Sequence, residues 1–408
     1  MSTFAGSYPD LVNTKLVDKF YTSNNLNLFW FNTTIDLRRE LLEIISHAAY
    51  YGLDKNKYHI SQLKEAIVYT GSDSNTIKRF DRVYTDAFIS FSKDLYVGNH
   101  IDDLLNFDEL SSKYTTRDNE YLLTKIISVK TGSDIDSIIK HLEPADYFYT
   151  RIKSELKNQI ELKNVSKVKQ LNTTIDLYRW VQHFAFEKYM LINIGSATFG
   201  YYENDAIKLT SNIVVGKLST KTPRFAAYCD KVILYPYWNV PRSIAVKELL
   251  PKFKRSPARV DAMNMQIINS KGKIVNPYAV KWSQYNRSNF PYVFRQCTGC
   301  DNSLGVIKFN LTDPFDVYLH DTNAKNLFRS KYRFYSHGCI RLEKAIDLGN
   351  ILLKDKLDDK YLTSCYKDQI PKEHKLEKPI PVFVIYSTVE MDSTGAFHYD
   401  KDVYNLMK

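Results

Sequence analysis

Residues 318–342 read YLHDTNAKNLFRSKYRFYSHGCIRL, and they hold Cys339 directly after His337 and Gly338. Nineteen residues upstream, His320 ends an apolar run of Val317, Tyr318 and Leu319. A thiol supplies a nucleophile and an imidazole supplies the base that activates it. Brought together across a loop, the two can carry acyl transfer through a thioester. Cys339 also precedes apolar residues at helical spacing (Ile340, Leu342, Ile346, Ile351), which predicts that it opens a helix. Backbone N–H groups and the positive dipole end at such a start favour thiolate over thiol. Taken singly, a cysteine is more often a small buried hydrophobe, and a histidine a core or surface residue. The whole string carries more than either.

Roles follow from chemical need. His320 is the candidate general base and acid, expected to titrate near the working pH. Backbone N–H groups of Cys339 and Gly338, with His337 in addition, are candidates for holding an oxyanion, and Gly338 permits a close turn. His337 is the rival base and otherwise orients the site. Arg341 opposes the dipole of the expected helix at a cost of about a few tenths of a kcal/mol. A substrate carboxylate, or an acid such as Glu343, is its expected partner. Arg341, Ser336, Asp321, Tyr318 and Trp238 form the candidate substrate-binding set. Asp321 and Thr322 also suit fixing the strand end, Ser336 capping the helix start, and Trp238 with Tyr237 anchoring a lid.

The elements that must position these residues change type near the middle of the chain. Only Pro9 and Pro144 of 13 prolines precede residue 220, and no glycine lies between Gly132 and Gly195. The first half is therefore helix-compatible, and apolar periodicity predicts helices at about 34–51, 76–95, 117–131 and 145–160. The hexapeptide NTTIDL occurs at 32–37 and again at 172–177 and reads as one capping solution used twice. From Tyr189 short β-rich runs take over: 189–194, 198–202, 212–216, 232–235, 305–310, 316–320 and 381–390. Such runs, separated by Gly, Asn, Asp and Pro, predict a β-sandwich or open barrel and an α+β chain overall. Between Pro236 and Cys300 lies a mixed segment with a helix over about 242–253.

Composition excludes several classes. The 408 residues are 44% hydrophobic and 25% charged, as in ordinary globular proteins. No stretch approaches the roughly 18 apolar residues of a membrane-spanning helix. The net charge of +10 is spread without a basic–aromatic face, so no nucleic-acid partner is expected. The 30 Tyr and 22 Phe are interleaved with Lys and Asn, which a coding bias explains as readily as a binding surface. Of five cysteines, Cys297 and Cys300 form a C-x-x-C pair without a second pair at zinc spacing, so neither metal nor cofactor is expected. A local disulfide closing a tight loop is the alternative in an oxidising compartment, with Cys229 and Cys365 left free or joined.

The S-H-G-C-I-R-L string with its upstream L-H-D-T resembles the L,D-transpeptidase (YkuD) family, and more narrowly its large YcbB-type branch. Segments 214–225, 235–253 and 302–328 carry further likeness, covering roughly residues 170–390. The resemblance implies a helical scaffold domain at 1–187 and a catalytic domain at 188–235 and 301–408. A substrate-capping insertion at 236–300 completes that arrangement. It implies peptidoglycan stem peptides as acyl donor and acceptor, with cleavage before the terminal D-Ala and a 3→3 cross-link. Hydrolysis, attachment of a protein, and a non-catalytic wall-binding scaffold are the alternatives. Carbapenem β-lactams are the covalent inhibitors the resemblance implies. The compartment it implies is the periplasm of a Gram-negative envelope, with a signal peptide removed ahead of Met1. The prolines expected in the 297–300 loop are replaced by cysteines. A small glycine-bearing wall-binding module expected in the first half has no counterpart.

Overall fold

The computed structural model describes residues 10–354, 357–364, 369–392 and 394–407. The chain divides into two compact units, Met1–Phe186 with Tyr386–Lys408, and Glu187–Ile385.

The first unit is helical. Four periodicity-predicted helices are present as Ile35–Ser46, Ser74–Val97, Ser111–Ile127 and Tyr147–Glu161. Helices Thr14–Ser23, Ile60–Val68, Gly132–Leu142 and Val165–Gln182 join them. Helix Ser74–Val97 starts where the Asp73 carboxylate accepts the Thr76 N–H at 2.8 Å, and it buries Phe80, Tyr84 and Phe88 against Trp30 and Leu41. The NTTIDL copies part company here. The first opens a helix at Ile35 after Thr34, with Asp36 in its first turn. The second lies inside helix Val165–Gln182, which is capped by Asn164, and its Thr174, Ile175, Asp176 and Leu177 are buried. The C-terminal hairpin Val389–Met391 with Phe397–Tyr399 belongs to this unit, whereas sequence placed everything from 301 to 408 with the catalytic strands.

In the second unit a short strand, Phe334–Ser336, pairs in parallel with Ala206–Gly216 on the flank of a sheet whose eight other strands close on themselves. They are β1 (Lys188–Asn193), β2 (Thr198–Glu203), β3 (Ala206–Gly216), β4 (Phe225–Leu234), β5 (Ile307–Leu311), β6 (Tyr318–His320), β7 (Ile340–Leu342) and β8 (Lys372–Ile385). The order around the ring is β1-β2-β3-β7-β6-β5-β4-β8, and β8 pairs with both β4 and β1. Closure removes the exposed edges that an open sheet would present. Around the ring, pairing is antiparallel except for β6 with β7 and β8 with β1.

Period-two alternation sorts the side chains. Leu319 pairs with Phe309 and Ile340, and Leu342 with Ile213. All five are fully buried and form the apolar face. The opposite face of the same strands carries Lys308, Tyr318, His320 and Arg341. Between β4 and β5 the chain leaves to build the insertion, a four-stranded sheet with its own core of Phe253, Val260, Ile267, Trp282 and Phe294. The helix expected over 242–253 is interrupted by a π turn at Ala245–Leu249.

Candidate active site

Cys339 heads strand β7 and not a helix; the next helix starts at Ala345. Ile340 and Leu342 satisfy both a strand and a helix pattern. Their pairing with β6 and β3 decides the matter. Helix-dipole stabilisation of the thiolate therefore does not apply.

The loop that presents the cysteine is tied down locally. The Ser336 hydroxyl donates to the Cys339 carbonyl at 2.6 Å and accepts the Gly338 N–H at 3.1 Å. Thr222 donates its hydroxyl to the Gly338 carbonyl at 2.7 Å, and Thr220 donates to the Ser336 carbonyl at 3.1 Å. Gly338 has φ of 126°, which a side chain would strain. Ser336 is thus the brace of this turn, and the Gly338 N–H, expected at an oxyanion, is already engaged.

His320 is buried at the end of β6, and its Nδ1–H donates to the Asp321 carbonyl. That bond fixes the neutral tautomer with the lone pair on Nε2. Burial and then the Arg341 charge pull its pKa down to about 3, with Lys308 adding to the fall, against the backbone bond to Asp321. The expectation of a group titrating near neutrality is corrected: His320 is held neutral. Asp321 is buried, accepts the Val306 N–H at 3.1 Å and pairs with Lys325. A Cβ on Gly305 would meet its Oδ2 at 2.1 Å, so the carboxylate is packed into the strand end and not available to a substrate.

Cys339 is partly exposed as a residue, while its thiol group is largely buried. Burial pushes the thiol pKa up. The backbone N–H and hydroxyl of Tyr318, followed by the Lys308 charge, pull the other way. The thiol itself donates to the Asp316 carbonyl at 3.8 Å. His320 pairs with Arg341 across the parallel ladder and Leu319 with Ile340, so Cys339 and Arg341 share a face with Tyr318 and His320. The cysteine and histidine expected as a dyad thus share one face, one ladder step apart. Tyr318 lies level with Cys339 in that register, its ring 5.6 Å from that of His320. Its hydroxyl also receives the Trp238 side chain, which packs on the insertion's core.

His337, the rival base, faces the insertion instead. Its Nε2 lies 2.7 Å from Glu248 Oε1, on the π turn. Arg341 is half-buried and has no carboxylate within ion-pair distance among the described residues. Sequence reasoning missed Lys308, Asp316 and Glu248. A lysine inside the apolar run 305–310 was the available signal for the first; Glu248 had none, since its partner is 89 residues away. Cys300 is disulfide-bonded but not to Cys297, so the C-x-x-C pair does not close on itself. Cys229 is a buried thiol, and Cys365 lies outside the described residues.

The comparisons with known proteins agree with this geometry. The family model described as the L,D-transpeptidase catalytic domain, YkuD, matches residues 187–358, and one described as a Scaffold domain matches residues 15–156. A putative L,D-transpeptidase of Haemophilus influenzae is 36% identical over 170 residues, 42% of this chain and 34% of that protein. The match therefore spans about a third of that relative's length. Solved structures include the catalytic domain of an E. faecium L,D-transpeptidase acylated by ertapenem. It is 14% identical, with 49% of this chain and 97% of that one covered and a TM-score of 0.24. Another is an L,D-transpeptidase from Mycobacterium smegmatis, at 14% identity, 48% and 58% coverage and a TM-score of 0.22. Scores of that size carry no argument, and the weight rests on the sequence matches. The chain carries an L,D-transpeptidase catalytic domain of the YkuD family, together with a Scaffold domain.

Proposed function

We propose that this protein is a peptidoglycan L,D-transpeptidase of the YcbB-type branch, acting in the periplasm through a thioester on Cys339. The observation that carries the reading is the shared face of Cys339, Tyr318, His320 and Arg341 on two parallel strands, with His320 Nδ1 engaged by the Asp321 carbonyl and no hydrogen-bond partner at its Nε2 among the described residues. His320 takes the thiol proton, and the sulfur attacks the carbonyl between the third residue and D-Ala of a tetrapeptide stem. The oxyanion is held by backbone N–H groups of Cys339 and His337, since that of Gly338 is engaged. Collapse breaks the C–N bond, and the proton on His320 passes to the departing D-Ala amine. The side-chain amine of a second stem then attacks the thioester and gives its proton to His320. The thiolate leaves, is reprotonated by His320, and a 3→3 cross-link remains. Arg341, cationic and without a carboxylate partner among the described residues, suits a stem carboxylate. Tyr318 stands beside the sulfur on β6, with Trp238 of the insertion acting on Tyr318.

Incubation with purified tetrapeptide muropeptides, followed by mass spectrometry, tests the reading. Cross-linked dimers with release of D-Ala are expected, together with a carbapenem adduct on wild type and none on Cys339→Ala. Tripeptides alone would assign hydrolysis, and an unchanged substrate with no adduct would leave a wall-binding scaffold.

A further inference from the structure

In this site the sulfur has no helix dipole behind it, and its neighbouring imidazole is neutral. Neither ordinary source of positive charge for a cysteine thiolate is present. The ladder supplies another. Lys308 on β5 pairs with His320 on one side, and Arg341 on β7 pairs with it on the other. Lys308 is half-buried, and no carboxylate lies within ion-pair distance of it among the described residues. Its Nζ stands 3.9 Å from the centre of the Tyr318 ring. The register of β6 and β7 sets the same Tyr318 beside Cys339 on this face, and its polar groups lower the thiol pKa, so one residue stands next to both the ammonium and the sulfur. Removing an ammonium from water without an anionic partner is costly. A ring face offsets part of that cost.

We propose that Lys308 is the counter-charge of the Cys339 thiolate, held over the Tyr318 ring for that purpose. This rests on the reading of Cys339 as the nucleophile. Other charged and titratable groups near the sulfur are Asp313 and Asp316 before β6, Tyr318 and His320 on β6, and Arg341 on β7. From the insertion, Glu248 is occupied by His337, and on the neighbouring strand Lys231 is paired with Glu373 at 2.8 Å. Asp313 raises the thiol pKa, and the sulfur's charge in turn favours the protonated form of Arg341. Among these groups Lys308 is the cation seated on the residue that grips the sulfur. Arg341 is left for the substrate.

Alkylation by iodoacetamide isolates the effect, because no substrate is present. The thiolate forms an S–C bond while the C–I bond breaks and iodide leaves. Rates at the Cys339 peptide are read by mass spectrometry between about pH 6 and about pH 10, where reaction follows the thiolate fraction. Lys308→Met is expected to slow alkylation about tenfold at each pH on the rising limb, a displacement of about one pH unit to the alkaline side. Lys308→Arg is expected to stay within about twofold of wild type, which a purely structural role for the stem would not produce. Lys308→Gln and a thermal melt of each variant guard against loss of fold. A Lys308→Met limb lying on that of wild type, in a folded protein, overturns the proposal. So does a Lys308→Arg limb displaced as far as that of Lys308→Met. If the limb moves as expected but no stem peptide acylates wild type, the counter-charge stands and the transpeptidase reading falls.

Discussion

Two regions of this molecule place arginine in protein and treat it differently. In the helical unit Arg179 is fully buried, and its guanidinium is surrounded. Its Nε and Nη2 donate to the Tyr149 hydroxyl at 2.8 and 2.6 Å, and Glu143 and Asp176 stand 3.4 and 3.6 Å away. Lys153 shares Glu143 at 2.6 Å. On the catalytic face Arg341 and Lys308 are half-buried and have no carboxylate partner among the described residues. A buried cation that serves the fold is matched from within, because an unmatched one is costly. A half-buried cation left unmatched beside a cysteine points to an anion that arrives or forms during the reaction.

The comparison breaks most severely at Arg179. Arg179→Met leaves Asp176 buried without its cation and Glu143 with Lys153 alone, and is expected to destabilise the helical unit by about 3–5 kcal/mol, read by denaturant unfolding. A loss under about 1 kcal/mol would show that the pairing is incidental. On the catalytic side His320→Ala is expected to slow acylation of Cys339 by about 10³-fold with little change in unfolding midpoint. Because wild-type His320 is held near a pKa of about 3, acylation should not fall as pH drops from about 7 to about 5 through His320 protonation. A loss centred near pH 6.5 would show an ordinary histidine.

Arg341→Gln comes next, with kcat/KM for the donor stem falling about 10- to 100-fold while alkylation of Cys339 by a neutral reagent changes far less. Equal losses in both assays would move Arg341 from substrate recognition to the sulfur. Asp176 sharpens the helical side. Burial, despite Arg179, pushes its carboxyl up to about 7, against about 3.9 in the unfolded chain. The folded state therefore keeps a proton that the unfolded chain has released between those values, and stability falls as pH rises from about 4 to about 7. Asp176→Asn should flatten that slope by on the order of 2 kcal/mol, followed by melting at several pH values. His320 acts with the opposite sign, since its folded pKa lies below the unfolded value of about 6.5 and its contribution is lost as pH falls toward 3. The smallest effect is expected at Glu248→Gln, where an exposed pair with His337 contributes about 0.2–1 kcal/mol and KM changes by a few-fold at most.

Much of the fold was legible because its signals are local. The apolar runs near 189–194, 198–202 and 316–320 correspond to β1, β2 and β6, and Ile35, Leu41 and Phe80 fall on predicted helices. The family string around Cys339 was legible as well. What escaped was set by distant partners. Ile340 and Leu342 form a strand because β3 and β6 receive them, and the second NTTIDL copy is buried because Asn99 and Arg179 contact its Asp176. The low pKa of His320 depends on burial between two cations from other strands, which no spacing along the chain reveals. Nor does the sequence show that Ser336 spends its hydroxyl within the loop.

Mass spectrometry of the intact protein after brief exposure to a tetrapeptide stem tests the central claim most directly. The account predicts a mass gain equal to the stem less D-Ala, mapped to Cys339 and released by hydroxylamine as expected of a thioester. A stable gain at another residue, or turnover that persists undiminished in Cys339→Ala, would contradict it.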